Sequence, residues 1–406
     1  HVADDYLRRT AITRLILTDE QRKLLDTTIL DWKRACNISS RIGWRADETQ
    51  KTQLQKLAYD EVREETRLGS QHTILATHQA AAALDGIDDI ESLKENYTTS
   101  RPEFTADTVK YDTRTMTLFD DGIISLSTVE DRIRCELVLL DDEDGYQYQY
   151  LENETWEITE STLSRRDGAY YIHLGFRKPK PKKRAEILDD TEDRTVLGVD
   201  LGIANIATTS TAYFASGDKL RHRHQEFERI RGRLQLTGTQ SAHRTIQQMS
   251  GRESRHVRDT LHNVANDIVD EALEYDCEYV AFENLRHIRN RAPRVKEFHQ
   301  WAHRQLVDMV ESKADAEGLY VVYVSPENTS RRCPECGHTS KENRITRSEF
   351  RCQSCGEMGN ADYVGAKNVG LRYVRRGLQS SRWTGDSQLA LKSGTVTPNW
   401  GFVPSD

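Results

Sequence analysis

Four of the seven cysteines fall into two tight pairs, CPEC at 333–336 and CQSC at 352–355, with fifteen residues between the pairs. A C-x2-C turn turns two thiolates to one side of a knuckle, and two knuckles complete a tetrahedron around one Zn²⁺. Gly337 and Gly356 follow the pairs and suit the tight turn. Four protein ligands (Cys333, Cys336, Cys352, Cys355) leave no open position, so the spacing predicts a structural zinc and not a catalytic one. A second set is acidic. Asp200 ends the apolar run VLGVD, Glu283 ends YVAFE, and Asp362 opens ADYVGAKNVGLRYV just past the cysteines. Carboxylates at strand ends lie at a sheet edge, where two or three of them hold two Mg²⁺ about 4 Å apart for phosphodiester chemistry. Each acid alone reads equally well as a surface residue, and Asp362 as a first-turn carboxylate favoured by the helix dipole. The argument rests on the three together.

The elements around these residues change character along the chain. Residues 11–95 carry apolar residues at three- and four-residue spacing and read as a helical bundle. Residues 104–177 offer short β-prone runs broken by Asp-Gly signals, which predicts a small antiparallel barrel or sandwich. The basic RKPKPKKRAE at 177–186 and the acidic residues after it read as a linker. From 195 onward strands alternate with helices: TVLGVDLG, NIATTSTAYFAS, a basic helical stretch (225–248), an amphipathic helix (253–275), CEYVAFEN, a helix (298–317) and LYVVYVSP. That order predicts an α/β domain. The tail beyond 378 has no periodicity and reads as a loose extension.

With 406 residues and 36% hydrophobic composition the chain has room for two or three domains. No apolar run reaches about 18 residues and the first residues show no signal-peptide core, so a cytoplasmic protein without a membrane span is expected. Cys36, Cys135 and Cys277 are scattered, which points to buried thiols and not a disulfide framework. The net charge of −8 runs against a nucleic-acid partner until its distribution is considered. Residues 219–258 hold ten Lys/Arg against three Asp/Glu, plus four histidines. Arginine outnumbers lysine 41 to 16, an acid-rich, Arg-heavy profile that suits concentrated salt and raises the expectation of a halophilic source. At about 1 M salt the Debye length is roughly 3 Å, so phosphate binding there rests on close bidentate arginine contacts.

The stretches GVDLGIANIATTS, FENLRHI, WAHRQLVDMVESKADAEGL, SPENTSRRCPECG and NADYVGAKNVG, in this order over 195–372, resemble the TnpB (OrfB) family of transposon-encoded RNA-guided nucleases. The helix TRLGSQHTILATHQAAAALDG resembles the family's N-terminal recognition region. The resemblance implies a multidomain α+β chain. An N-terminal β-barrel wedge (1–18 and 99–188) would carry an inserted helical recognition bundle (19–98). A C-terminal α/β RuvC-like RNase H fold (189–327 and 359–378) would carry a zinc-ribbon insert (328–358), followed by a flexible tail (379–406). It further implies two Mg²⁺ on Asp200, Glu283 and Asp362, one structural Zn²⁺, a guide RNA from the transposon end, and cleavage of matched target DNA beside a short motif by a monomeric ribonucleoprotein. Gln71, Arg177, Lys178 and Lys180 are the candidate nucleic-acid contacts. The alternatives are a cleavage-inactive guided DNA-binding regulator and a guide-independent RuvC nuclease. One departure stands out: the family's last motif reads Asp-x-Asn-Ala-Ala-x-Asn, whereas Val364 and Gly365 stand here between Asp362 and Asn368.

Overall fold

The computed structural model describes residues 5–93, 99–119, 122–139, 147–188, 194–284, 294–379, 389–397 and 401–404. They divide into two compact units, His1–Pro179 and Lys180–Asp406. The first unit opens on a strand, β1 (Tyr6–Ile16), where the spacing of Ile12, Leu15 and Ile16 mimics a helix. Its burial alternates with period two, placing Leu7, Ala11, Thr13 and Leu15 inward. Helix starts only at Thr18, whose side chain accepts from Gln21 N at 3.3 Å while Gln21 Oε1 accepts from Thr18 N at 3.0 Å. This reciprocal capping box is worth about 1 kcal/mol. Three helices follow: α1 (Asp19–Ala46), α2 (Lys51–Glu65) and α3 (Ser70–Leu93). Leu25, Ile29, Trp32 and Cys36 of α1 share one core with Leu54, Ala58 and Val62 of α2 and Ala76 and Ala80 of α3, forming the expected bundle.

After the bundle come β2 (Thr108–Tyr111), β3 (Met116–Leu118), β4 (Ile123–Ser127), β5 (Arg132–Val138), α4 (Tyr148–Leu151), β6 (Glu157–Ile158), β7 (Ser161–Arg166) and β8 (Ala169–Pro179). With β1 they make one antiparallel sheet ordered β2-β7-β8-β1-β5-β4-β3, with β6 on β8. Among the described residues the path ends at β2 and β3 without closing, so the expected barrel is a half-barrel. Its outer strands have only four and three residues and offer a neighbour little free backbone. The predicted linker is also corrected. β8 runs through Arg177 and Lys178 to Pro179, paired with Arg8, Leu7 and Tyr6, because ladder hydrogen bonds carry the strand past the first prolines' basic neighbours.

The second unit comprises α5 (Arg184–Ile187), β9 (Arg194–Asp200), β10 (Asn205–Thr209), β11 (Phe214–Ser216), α6 (Asp218–Thr237), α7 (Gln240–Glu274) and β12 (Tyr279–Glu283). It continues with α8 (Arg294–Ala316), β13 (Tyr320–Val324), β14 (Glu349–Arg351), β15 (Met358–Asn360), α9 (Ala361–Gln379), β16 (Leu389–Leu391), β17 (Gly394–Thr397) and β18 (Gly401–Pro404). The main sheet is ordered β11-β10-β9-β12-β13; β10 and β11 run antiparallel, while β12 and β13 are parallel to the β9 direction. Alternate residues feed opposite faces. Leu197, Val199, Val280 and Phe282 pack with α7 and α8, whereas Val196, Tyr279 and Ala281 pack with Val369 of α9.

Two expectations change here. The helix break lies at Gly238 (φ 62°), followed by Thr239, whose hydroxyl caps Ala242 N at 3.2 Å. The break expected between 248 and 253 is helical, with Gly251 inside α7. The tail beyond 378 also contributes structure: β16 pairs parallel with the start of β9, and Leu391 lies against Gly370 of α9. A strand of three residues shows no periodicity in sequence, which is why the tail reads as loose. Among the described residues no helix is long and apolar enough to cross a membrane.

Candidate functional site

Strand parity decides where the acids point. Gly198 and Ala281 are paired across β9 and β12, and both face α9. Asp200 and Glu283 stand two residues further along and so face α9 as well. A Cβ on Gly198 would lie 2.1 Å from the Ala366 carbonyl oxygen, so this glycine lets α9 lie directly on the strand. Asp362, in the first turn of α9, is thereby brought to the same edge.

Glu283 and Asp362 lie close enough to act on the Asp200 charge. Burial first, then the Glu283 and Asp362 carboxylates, with Arg344 opposing, raise the Asp200 carboxyl to about 8. Burial also raises Glu283, against a hydrogen bond from Thr329 and the charge of Arg372. Asp362 accepts from Asn205 Nδ2 at 3.0 Å and lies 3.5 Å from Arg344 Nη2. Thr329 Oγ1 donates to Glu283 Oε1. Asn368 Nδ2 donates to the carbonyls of Thr329 (2.8 Å) and Arg332 (2.6 Å). A half-buried set of three acidic side chains, two of them (Glu283 and Asp362) held by neighbouring donors, fits divalent cations. The oxygens are more dispersed than a single-ion cage. Among the described residues, the four cysteines are the one group whose ligand atoms all lie within 4.8 Å.

The departures in the last motif have distinct surroundings. Val364 is buried with Cys333, Phe350, Cys352 and Ala361 in the small core under the ribbon, so an apolar residue suits that position. Gly365 faces Asp200: a Cβ there would lie 3.0 Å from its Cγ and 3.1 Å from Oδ2.

In the ribbon, Cys333 Sγ lies 3.6 Å from Cys355 Sγ, and Cys336 Sγ lies 3.5 Å from Cys352 Sγ. A zinc tetrahedron with bonds of roughly 2.3 Å needs sulfurs about 3.8 Å apart, so the cage fits the ion. Gly337 and Gly356 take left-handed φ values of 75° and 81° at the knuckle turns. The amides of Cys355 and Ser354 point at Cys352 Sγ and pull its thiol down to about 6.

The four nucleic-acid candidates are all engaged within the chain. Gln71 binds Asp112 and Arg114. Arg177 pairs with Glu157 at 2.9 Å and stacks over Tyr6, Lys178 lies over Trp156, and Lys180 pairs with Asp315 at 2.8 Å. The helical hairpin α6–α7 differs. Among the described residues, Lys219, Arg223, Arg229, Arg233, Arg244, Arg252, Arg255 and Arg258 have no ion-pair partner. At 100° per residue the four on each helix fall within a sector of about 120°.

A family profile described as OrfB_IS605, probable transposase, matches residues 179–289, which include Asp200 and Glu283. A second, described as Cas12f1-like, TNB domain, matches residues 303–369, which include the ribbon and Asp362. Apart from Pro179, both matches fall in the second unit. The chain is 28% identical over 222 residues to the CRISPR-associated endodeoxyribonuclease Cas12f1 of Sulfoacidibacillus thermotolerans, covering 51% of each chain. It is 30% identical over 159 residues to a TnpB-like protein of Methanocaldococcus jannaschii, covering 37% of this chain and 56% of that one. The chain spans about half the length of the curated relatives it matches. Its fold is similar to that of Cas12f1 in a Cas12f1-sgRNA-target DNA complex, with TM-score 0.60 at 15% identity over 87% of this chain and 83% of that one. It is also similar to that of a mini-RNA-guided endonuclease, CRISPR-Cas_phi3, with TM-score 0.56 at 10% identity over 89% and 92% of the two chains.

The structure brings the predicted acids to one sheet edge and the four predicted cysteines together, and it adds Asn205, Thr329 and Arg344, which sequence reasoning did not single out, as neighbours of the acids. Single polar residues in loops and strand starts carry no spacing signal. Asn368 had one, as the last position of the compared motif.

Proposed function

We propose that the chain is an RNA-guided DNA endonuclease whose Asp200, Glu283 and Asp362 ligate two Mg²⁺, with one structural Zn²⁺ in the four cysteines. The observation that carries this is the convergence of three carboxylates from β9, β12 and α9 on one sheet face. The sheet order, with the first three strands antiparallel and two further parallel strands on the other side of β9, is that of an RNase H fold. It supports a RuvC-like assignment for 189–327 and 359–378 around the ribbon at 328–358. The half-barrel and the bundle at 19–98 are read as wedge and recognition lobe; the compact units part at Pro179, nine residues before the expected end of the wedge at 188.

Bound Mg²⁺ would supply an activated water and neutralise charge on the leaving oxygen. The chain's own residues surround the ligands: Asn205 donates to Asp362, Thr329 donates to Glu283, and Gly365 leaves room for Asp200. A guide RNA from the transposon end and a matched DNA target are the proposed partners. The names of the relatives and the sgRNA–target DNA complex of the similar Cas12f1 support them. In such a complex base pairing selects the sequence while the protein holds the backbone. The unpaired cations of α6–α7 are a better phosphate surface than Gln71, Arg177, Lys178 and Lys180, each of which already faces a partner within the chain.

The test is plasmid cleavage with Mg²⁺ by protein co-expressed with its transposon-end RNA, on matched and unmatched targets. Cutting of the matched plasmid alone, lost in Asp200→Ala, is expected. Matched binding without cutting would favour the regulator, and cutting without RNA the guide-independent nuclease.

A further inference from the structure

The loop between β13 and the ribbon returns to the acid site. From Val324, paired with Glu283 in the parallel ladder, the chain passes through Pro326 and then Asn328, which has a left-handed φ of 58°. The amides of Arg331 and Arg332 bond back to the Asn328 carbonyl at 3.0 Å each, closing a turn. This reversal returns Thr329 to within hydrogen-bond reach of the carboxylate from which the ladder led away. Thr329 is 4% exposed, and its single hydroxyl hydrogen has two acceptors in reach, Glu283 Oε1 and, at 3.1 Å, the Pro326 carbonyl. The carboxylate is the nearer and the stronger acceptor. The turn is fastened from the other side by Asn368, whose amide spans the carbonyls of Thr329 and Arg332. Arg332 directly precedes the first zinc-site cysteine.

We infer that Thr329 is a positioning residue for Glu283, fixing that carboxylate for divalent-cation binding and linking it, through the Asn368 clamp, to the entry of the zinc ribbon. This rests on the reading of the three acids as a divalent-metal site. A donor on one carboxylate oxygen removes rotamer freedom from the side chain and leaves the second oxygen to a cation. Outer hydrogen bonds of this kind are worth about 10–100-fold in metal affinity. The fold alone has little use for the bond. Glu283 already ends a paired strand, and the Asn328 turn closes through its own amides.

The test compares the full chain with Thr329→Val, which keeps the shape and removes the hydroxyl, and Thr329→Ser, which keeps the hydroxyl. Mg²⁺ affinity is measured by calorimetry and zinc content by elemental analysis. Thr329→Val is expected to bind Mg²⁺ about 10–100-fold more weakly while retaining its zinc, and Thr329→Ser to recover most of the affinity. Wild-type affinity in Thr329→Val would overturn the inference. If Thr329→Val loses zinc, the comparison passes to Thr329→Ala and Thr329→Ser, where equal Mg²⁺ affinities would overturn it. Asp200→Ala is the control for the underlying reading. Should the wild type bind no Mg²⁺, or Asp200→Ala bind it equally well, the metal-site assignment fails before the role of Thr329 is reached.

Discussion

The second unit builds two metal sites in opposite ways. The ribbon gathers four cysteines within 23 residues, and its turns bring their sulfurs together; the amides of the second knuckle favour the Cys352 thiolate, whereas burial raises the Cys333 thiol. The acid site gathers three carboxylates from positions spread over more than 160 residues, and nothing local prepares them. They meet because β9, β12 and α9 pack, and on meeting Glu283 and Asp362 disfavour the charge of Asp200. The locally encoded site has its ligand geometry built by its own turns, whereas the tertiary site places a raised carboxyl, Asp200, where a cation would relieve it. The first should fail by unfolding locally, the second by losing chemistry with the fold intact.

The largest expected effect follows from the second half of that contrast. Asp200→Ala removes a carboxylate that burdens the fold, so cleavage should fall by about 10³-fold or more, several kcal/mol of barrier, while the melting temperature holds or rises. A cleavage assay beside a thermal melt checks it, and normal cutting would remove Asp200 from the site. Cys333→Ser should do the reverse in the ribbon. Zinc content should fall to near zero and the ribbon should become protease-sensitive at 328–358, because structural zinc provides the folding energy of such modules, about 10–16 kcal/mol in isolated fingers. Retained zinc would show that the cage does not need this sulfur.

Acidity separates the sites further. The Asp200 carboxyl sits near 8 in the folded chain, far above its ordinary value of about 3.9. A raised carboxyl pKa means that the folded state keeps a proton the unfolded state releases. Its contribution to stability is therefore complete below about pH 4 and is lost as the pH climbs through about 8. The metal-free protein should lose stability across that window, with Glu283, also raised, acting in the same direction. Mg²⁺ should restore the loss. Because the ion displaces the held proton, binding at pH 7 should release close to one proton per molecule. Calorimetry in phosphate and in Tris measures this directly, and equal enthalpies in the two buffers would contradict a protonated Asp200.

The same contrast explains what could be read from the sequence. The cysteine cage was legible in full, because its geometry is a matter of spacing and turns that a linear pattern records. The acids were legible as strand ends, but their convergence required the parity of β9 and β12 and the glycine contact of Gly198 with α9, which only pairing reveals. The supporting donors Asn205, Thr329 and Arg344 left no trace, since a single hydrogen bond imposes no period. Long elements were recognised better than their ends. Ile12, Leu15 and Ile16 imitated a helix on what is β1, and Gly238, not the segment between 248 and 253, divided α6 from α7. Charge runs misled for a related reason: Arg177 and Lys178 looked free in sequence, yet ladder pairing and Glu157 or Trp156 had claimed them.

The smallest expected effect tests whether the departure at Gly365 matters to the acid site. Alanine in a helix interior is favoured over glycine by about 1 kcal/mol. At 365, however, its Cβ would lie 3.0 Å from Asp200 Cγ and 3.3 Å from Oδ1, so the carboxylate must give by a few tenths of an ångström. The two terms oppose each other in stability, and Gly365→Ala should change the melting point little. In metal binding they do not cancel, because helix propensity adds nothing there. A small Asp200 displacement should weaken Mg²⁺ by less than about tenfold, below the loss expected on removing a direct hydrogen bond to a ligand. Alanine is the residue of the family pattern that this chain resembles, so tighter Mg²⁺ binding in Gly365→Ala would reverse the argument: the glycine would then cost affinity, and Asp200 as it stands would be too loosely held.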